Sequence, residues 1–175
     1  MYSDIIILAM LANGPMHGYE IKKRAEQILG SPISLNNKVL YPALKRFEEM
    51  KAVEREVVRQ EGKPDRHMYR MTEYGREWMQ MLLQDFSAEL LRNDAEFLVR
   101  VSFFRLLEPE AQLEILHIRA DIVNKKIAHI QEMRKLASTT QGNNEFVEEV
   151  ISFHEQQNRH ELDWIESLIQ KIEQA

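Results

Sequence analysis

The chain reads as mainly α-helical: three short helices, one β-hairpin, then helices to its end. Three observations predict this. Apolar residues recur every three to four positions through most of the 175 residues, the mark of helices that bury one face. Between Val53 and Thr72 the period drops to two, interrupted by the turn cluster Glu61-Gly62-Lys63-Pro64-Asp65, which signals a hairpin. Beyond Thr72 the helical period returns and holds.

The first helix is expected over Tyr2 to Ala12. Asn13-Gly14-Pro15 stops it, because Gly tolerates a left-handed cap and Pro cannot continue a helix. The second runs from His17 or Gly18 to Leu29, with Tyr19, Ile21, Ala25, Ile28 and Leu29 as its buried side. Lys22, Lys23 and Arg24 lie elsewhere on its surface, and Gly30-Ser31-Pro32 ends it. The third takes Ser34 as its N-cap. Leu35, Val39, Leu40, Ala43, Leu44, Phe47 and Met50 follow at core-facing spacing. Pro42 falls inside that stretch and removes a backbone hydrogen bond, at a cost of ~3 kcal/mol or more. Either the helix starts at Ser34 and bends at Pro42, or it starts near Tyr41 with Pro42 in its first turn. The apolar spacing from Leu35 favours the former.

In the hairpin, Val53, Arg55, Val57 and Arg59 alternate with Glu54, Glu56, Val58 and Gln60, and His67, Tyr69 and Met71 share one side of the return strand. Thr72 then caps a helix that opens on Glu73, an acid at the favourable end of the helix dipole. That helix is expected to reach about Arg92, with a break at Asn93-Asp94, before a strongly apolar segment from Phe97 to Leu107. Pro109 opens the next helix. In it Leu113, Leu116, Ala120, Val123, Ile127 and Ile130 step like a coiled-coil seam. Ser138 to Asn144 is a polar loop. The last helix, Glu145 to Gln174, carries Val147, Val150, Ile151, Leu162, Ile165, Leu168, Ile169 and Ile172 along one side, with Trp164 beside them. Three helices, a hairpin and a further helix outline a winged helix-turn-helix, here residues 1–78, followed by an α-helical domain over 79–175.

Composition narrows the function classes. The absence of cysteine excludes a disulfide framework and thiolate metal sites. The apolar run Ile5 to Ala12 is far short of the roughly 20 residues a membrane span needs, and no basic segment precedes it, so a cytoplasmic protein is expected. No nucleophile-elbow, phosphate-loop or metalloprotease motif occurs, so no enzyme is expected. No metal and no cofactor are expected either: His154 and His160 do not share a helical face, and His117 and His129 stand apart. Net charge is −5, which looks wrong for a nucleic-acid binder until the chain is divided. Residues 1–78 hold 13 Lys and Arg against 11 Asp and Glu, a net of +2; residues 79–175 hold 10 against 17, a net of −7. Any affinity for DNA must therefore come from local placement of cations.

The third helix supplies such a placement. Asn37, Lys38, Tyr41 and Lys45 occupy the side away from its apolar stripe. Amides and lysines suit base edges and phosphates, and a phenol suits a phosphate oxygen. Asn37 is the candidate for adenine, whose groove edge pairs with an amide at two points. Lys38 and Lys45 suit phosphate or guanine. Tyr41 contacts DNA, or packs with its hydroxyl on a phosphate. Lys63 and Arg66 flank the wing tip and suit backbone or a narrow minor groove, and Lys22, Lys23 and Arg24 are further phosphate candidates. The plainer reading of each is a solvated surface.

Several blocks fall in register with a known family. Leu8-Ala9-Met10-Leu11, Gly14-Pro15-Met16-His17-Gly18-Tyr19-Glu20-Ile21, Leu40-Tyr41-Pro42-Ala43-Leu44-Lys45-Arg46-Phe47-Glu48, Gly62-Lys63-Pro64-Asp65-Arg66 and Tyr69-Arg70-Met71-Thr72-Glu73-Tyr74-Gly75-Arg76 resemble the PadR family of transcriptional regulators over residues 4–78. The wing and acidic tail are also similar to a related virulence-gene activator. The resemblance implies a homodimer on double-stranded DNA, with helix three in the major groove and the wing over the adjacent minor groove or backbone. It also implies a repressor that releases DNA when a small aromatic effector binds. Two-fold symmetry would set paired reading helices about 34 Å apart on a palindrome. Leu113, Leu116, Val123, Ile127, Ile130, Trp164, Ile165, Leu168 and Ile172 are the dimerisation candidates, against packing within one protomer. Trp78, Phe97, Phe103, Phe104 and Trp164 are the effector candidates, against an ordinary core role. Asn37 and Lys38 stand where the family often has a small residue, and His67-Met68-Tyr69 replaces its usual lysine-tyrosine pattern. An activator without an effector, or a winged helix that binds only protein, is the alternative.

Overall fold

Helix α1 (Tyr2–Leu11) is the hub of the N-terminal part. In the computed structural model, which describes residues 2–29, 35–58, 66–139 and 145–174, every residue from Ile5 to Leu11 is buried. A helix apolar on all sides must be surrounded, and this one is packed by the second, third, fourth and sixth helices and by the wing. It ends as the sequence requires. Asn13 Nδ2 donates to the Ala9 carbonyl (3.0 Å), and Gly14 takes φ +127°, a region closed to most side chains.

Strand β1 (Met16–His17) follows, then α2 (Gly18–Leu29), α3 (Asn37–Glu49), β2 (Val53–Val58) and β3 (Arg66–Met71). The three strands form one antiparallel sheet ordered β1-β3-β2, with Met16 opposite Tyr69 and Val53 opposite Met71. On α2 the buried side is narrower than the sequence suggests. Ile21 and Ala25 are buried, whereas Tyr19 is 71% and Ile28 56% exposed; Leu29's side chain lies outside the described residues. Helix α3 starts later than expected. Its cap is Asn36, whose side chain accepts from Val39 N (3.1 Å), and Ser34 lies outside the described residues. The helix continues through Pro42, so the chain tolerates one missing hydrogen bond to keep Leu40, Ala43, Leu44 and Phe47 on the core. Val39 is on the open side instead. The helix stops without glycine: Ala52 N donates to Phe47 O (2.8 Å) and Lys51 N to Glu48 O (3.0 Å), a Schellman closure with Lys51 at φ 59°. Among the described residues of the hairpin, burial is confined to its base, at Val53, Tyr69 and Met71; His67 and Val57 are exposed.

Thr72 caps α4 (Glu73–Gln84), accepting from Gly75 N (3.0 Å). The expected continuation to Arg92 does not occur. Asp85 leaves helical geometry, Ser87 starts the short α5 (Ala88–Leu91), and Asn93 caps α6 (Asp94–Ser102). A 3₁₀ turn (Phe104–Leu106) precedes α7 (Pro109–Thr139), and α8 (Glu145–Glu173) closes the chain. No helix among the described residues is long and apolar enough to cross a membrane.

Contacts group the chain into two units: Met1–Phe86 with Asn93–Glu108, and Ser87–Arg92 with Pro109–Ala175. Residues 79–86 and 93–108 thus pack with the N-terminal helices, past the charge boundary at 78. A buried ion pair ties the first unit together. Arg100 Nη1 meets Glu96 Oε2 at 2.5 Å, Arg100 Nη2 donates to Asp85 O (2.8 Å), and Glu96 Oε1 accepts from Tyr2 N (2.8 Å). Burial pushes the Glu96 carboxyl up, but the bonds from Arg100 and Tyr2 outweigh it and hold the group below its ordinary value. In the second unit, Arg119–Glu161 and Arg134–Glu148 pairs run in opposite senses along α7 and α8, so the two form an antiparallel hairpin. Arg119 is also buried, donating to the carbonyls of Leu91 (2.7 Å) and Arg92 (3.3 Å) at the end of α5.

Candidate nucleic-acid interface

The amphipathic pattern of α3 decides which of its side chains face water. With Leu40, Ala43, Leu44 and Phe47 turned inward, Asn37, Lys38, Tyr41 and Lys45 are all exposed. Lys45 stands 3.9 Å from Glu49, with both side chains well over half exposed, a pair worth little and easily exchanged. Arg46, next along the helix, is committed elsewhere. It bonds Asp4 on α1 at 2.6 Å and lies 5.2 Å over the Phe47 ring, which makes it a fold residue.

Beside this face lies a cavity of about 710 Å³ between the start of α2, Tyr41 and strand β3. Lys23, Arg24, Tyr19, Gln27, Arg66 and His67 line it. β1 builds its rim: His17 Nδ1 donates to the His67 carbonyl (3.0 Å), and Glu20 reaches back to accept from His17 N (2.9 Å), fixing where α2 starts. Tyr41 is shared with a second cavity of about 550 Å³ bounded by Lys45, Glu49 and Arg55. Tyr69 backs both; burial pushes its phenol up, only partly countered by the charge of Arg55. Such an array of cations, phenols and amides around an open groove suits a phosphodiester backbone.

Of the remaining candidates, Arg66 is exposed and Lys63 lies outside the described residues. Lys22 is half-buried, 3.8 Å from Glu26, and takes no part in the groove. Tyr19, expected on the buried side of α2, is exposed and lines the groove; its place there follows from β1, two residues too short to leave a pattern. In the second unit, Leu116, Val123, Ile127 and Ile165 are buried within that unit, while Leu113, Ile130, Trp164, Leu168 and Ile172 are half-buried. Phe97 and Phe103 are core residues of the first unit; Trp78 and Phe104 there, and Trp164 on α8, are half-buried. No group of three or more possible metal ligands occurs among the described residues.

Residues 7–81 match the sequence profile of the transcriptional regulator PadR-like family. Among solved structures, the chain is similar to Bacillus subtilis PadR in complex with operator DNA, at 20% identity over 97% of this chain and 98% of that one (TM-score 0.46). It is similar to the same organism's PadR in complex with p-coumaric acid, at 17% identity over 98% and 96% (TM-score 0.42). A PadR family transcription regulator from Clostridium difficile R20291 is 28% identical over 49% of this chain and 88% of its own (TM-score 0.42). No curated protein matches the chain.

Proposed function

We propose that the chain, whose residues 7–81 match the PadR-like family of transcriptional regulators, is a sequence-specific, ligand-responsive repressor working as a homodimer on a palindromic operator. One observation carries the reading: the exposed Asn37, Lys38, Tyr41 and Lys45 face of α3 adjoins a groove lined by Lys23, Arg24, Arg66 and His67. Asn37 and Lys38 read base edges, while Tyr41, Lys45 and the groove cations hold phosphates. Lys63, in the turn cluster of the sequence, adds a backbone contact. Pairing of protomers is supported by a stripe on α8 at which Val147, Val150 and Phe153 are 45–60% exposed, an apolar face of the kind that marks protein–protein contact. Repression relieved by a small aromatic effector is what the family resemblance implies.

The test is fluorescence anisotropy of the full chain on duplex DNA from upstream of its own gene. Tight binding that weakens steeply with salt, at two protomers per duplex, is the expected result. Equal affinity for scrambled duplexes, or one protomer per site, would defeat the specific and dimeric parts in turn.

A further inference from the structure

We propose that Gly18 is a positioning residue for DNA recognition: bearing no side chain, it lets the Tyr41 ring rest on the first turn of α2 and so fixes the phenol at the floor of the groove. A Cβ at Gly18 would lie 3.0 Å from Tyr41 Cε1, 3.2 Å from its hydroxyl oxygen and 3.3 Å from Cζ. These separations fall inside ordinary carbon contact distance. Nothing else at the position demands glycine. Gly14 is the one glycine with positive φ among the described residues, and Gly18 opens an α-helix, where other residues are at ease. Tyr41 is 47% exposed, so an added methyl is relieved by the ring swinging outward rather than by the fold giving way.

The displacement matters because of where the ring sits. Tyr41 lines both cavities, one of which also carries Lys23, Arg24 and Arg66 and the other Lys45 and Arg55. Its hydroxyl has no hydrogen-bond partner among the described residues, leaving its proton for an incoming phosphate oxygen. Gly18 thus acts on DNA through Tyr41 without touching it. The inference rests on the DNA-binding reading above.

The test measures affinity for one operator duplex by the parent, Gly18→Ala, Tyr41→Ala and the double variant, together with their melting temperatures. Gly18→Ala is expected to weaken binding about three- to tenfold, the range for losing one ordinary hydrogen bond, with a melting point equal to or above the parent's, since alanine is the better helix former. In the Tyr41→Ala background the same change should cost nothing, because the space is then open; this coupling is one that a merely structural role would not produce. Unchanged affinity of Gly18→Ala, or an equal loss in both backgrounds, overturns the inference. If Gly18→Ala melts low while the double variant also melts low, the methyl meets the fold and not Tyr41, which overturns it too. A parent chain that binds no DNA removes the reading beneath it, and this inference with it.

Discussion

Replacing Gly75 by alanine is expected to destabilise the chain, although alanine is worth about 1 kcal/mol more than glycine inside a helix. Gly75 is the third residue of α4, and a Cβ there would fall 2.1 Å from the Ala52 carbonyl oxygen and 2.8 Å from Met71 Cγ. The first obstacle is backbone, and it is already engaged. Ala52 O accepts from Thr72 N (3.1 Å) and from the Thr72 hydroxyl (3.1 Å), which also faces Lys51 O (2.8 Å) and in turn caps Gly75 N. Relieving the overlap means moving the start of α4 off the β2 junction by about 1 Å, a core overpacking cost of about 1–3 kcal/mol. The cap and one further hydrogen bond then weaken, at about 1 kcal/mol each. After the helix gain is subtracted, a net loss of about 3 kcal/mol remains. For a chain of this length that lowers the melting temperature by about 6–12 °C, read by far-ultraviolet circular dichroism, with a matching fall in urea midpoint at constant slope. A Gly75→Ala variant melting at or above the parent would show that the junction is slack and that this reasoning is wrong.

Three other substitutions probe the remaining links. Asn37→Ala should relax preference at one base position by ~1–3 kcal/mol, whereas Lys45→Ala should weaken every sequence alike; competition with single-base-changed duplexes separates them, and a uniform loss for Asn37→Ala would remove it from base reading. Glu96 has a folded pKa below its unfolded value, so its contribution is complete above the unfolded value and disappears as pH falls through the folded one. Glu96→Gln should therefore be less stable at neutral pH, by about 3 kcal/mol for a buried arginine left without its charge partner, and its melting temperature should fall less steeply on acidification below about pH 4.5; parallel acid limbs would exclude Glu96 as the titrating group. Arg119→Met leaves Glu161 and the end of α5 without their donor, so a loss of about 3 kcal/mol is expected, and an unchanged urea midpoint would argue against it.

What the sequence reveals and what it hides follow from how local each cause is. Gly14, Thr72, Asn93 and Pro109 act within one turn of chain, and the breaks they mark stand where the residues are. The hairpin likewise shows in its own period. Failures arise where a distant element decides. Ile28 keeps helical period with Ile21 and Ala25, yet it is left exposed while they are buried; Tyr19, two residues before Ile21, falls off that stripe and is exposed too. The α4 helix ends at Gln84 because Arg100, sixteen positions on, draws the carbonyls of Leu82 and Asp85; no signal near residue 84 carries that. Lys51 closes α3 in a conformation that usually selects glycine, so the stop is invisible by composition. The groove is legible only in part. Its α3 face follows from amphipathicity, but the convergence of Arg24 and His67 depends on β1 crossing to β3.

A near-neutral N-terminal half can still hold DNA if its cations are sorted by what they already touch. Arg46 is bonded to Asp4 at 2.6 Å and Arg55 to Glu48 at 3.2 Å; both links join separate elements, and breaking them to reach a phosphate would cost the fold. Lys22 and Lys45 face acids one turn away at 3.8 and 3.9 Å, contacts too long and too exposed to compete with a phosphate. Lys23, Arg24, Lys38 and Arg66 have no ion partner among the described residues, and three of these four line one groove. Net charge therefore understates the local concentration of cations in that groove. Since residues 1–78 carry a net charge of only +2, non-specific affinity should stay low. Discrimination then falls to the few side chains with directional chemistry at the groove's edge, the amide of Asn37 and the phenol of Tyr41, and to whatever holds them still.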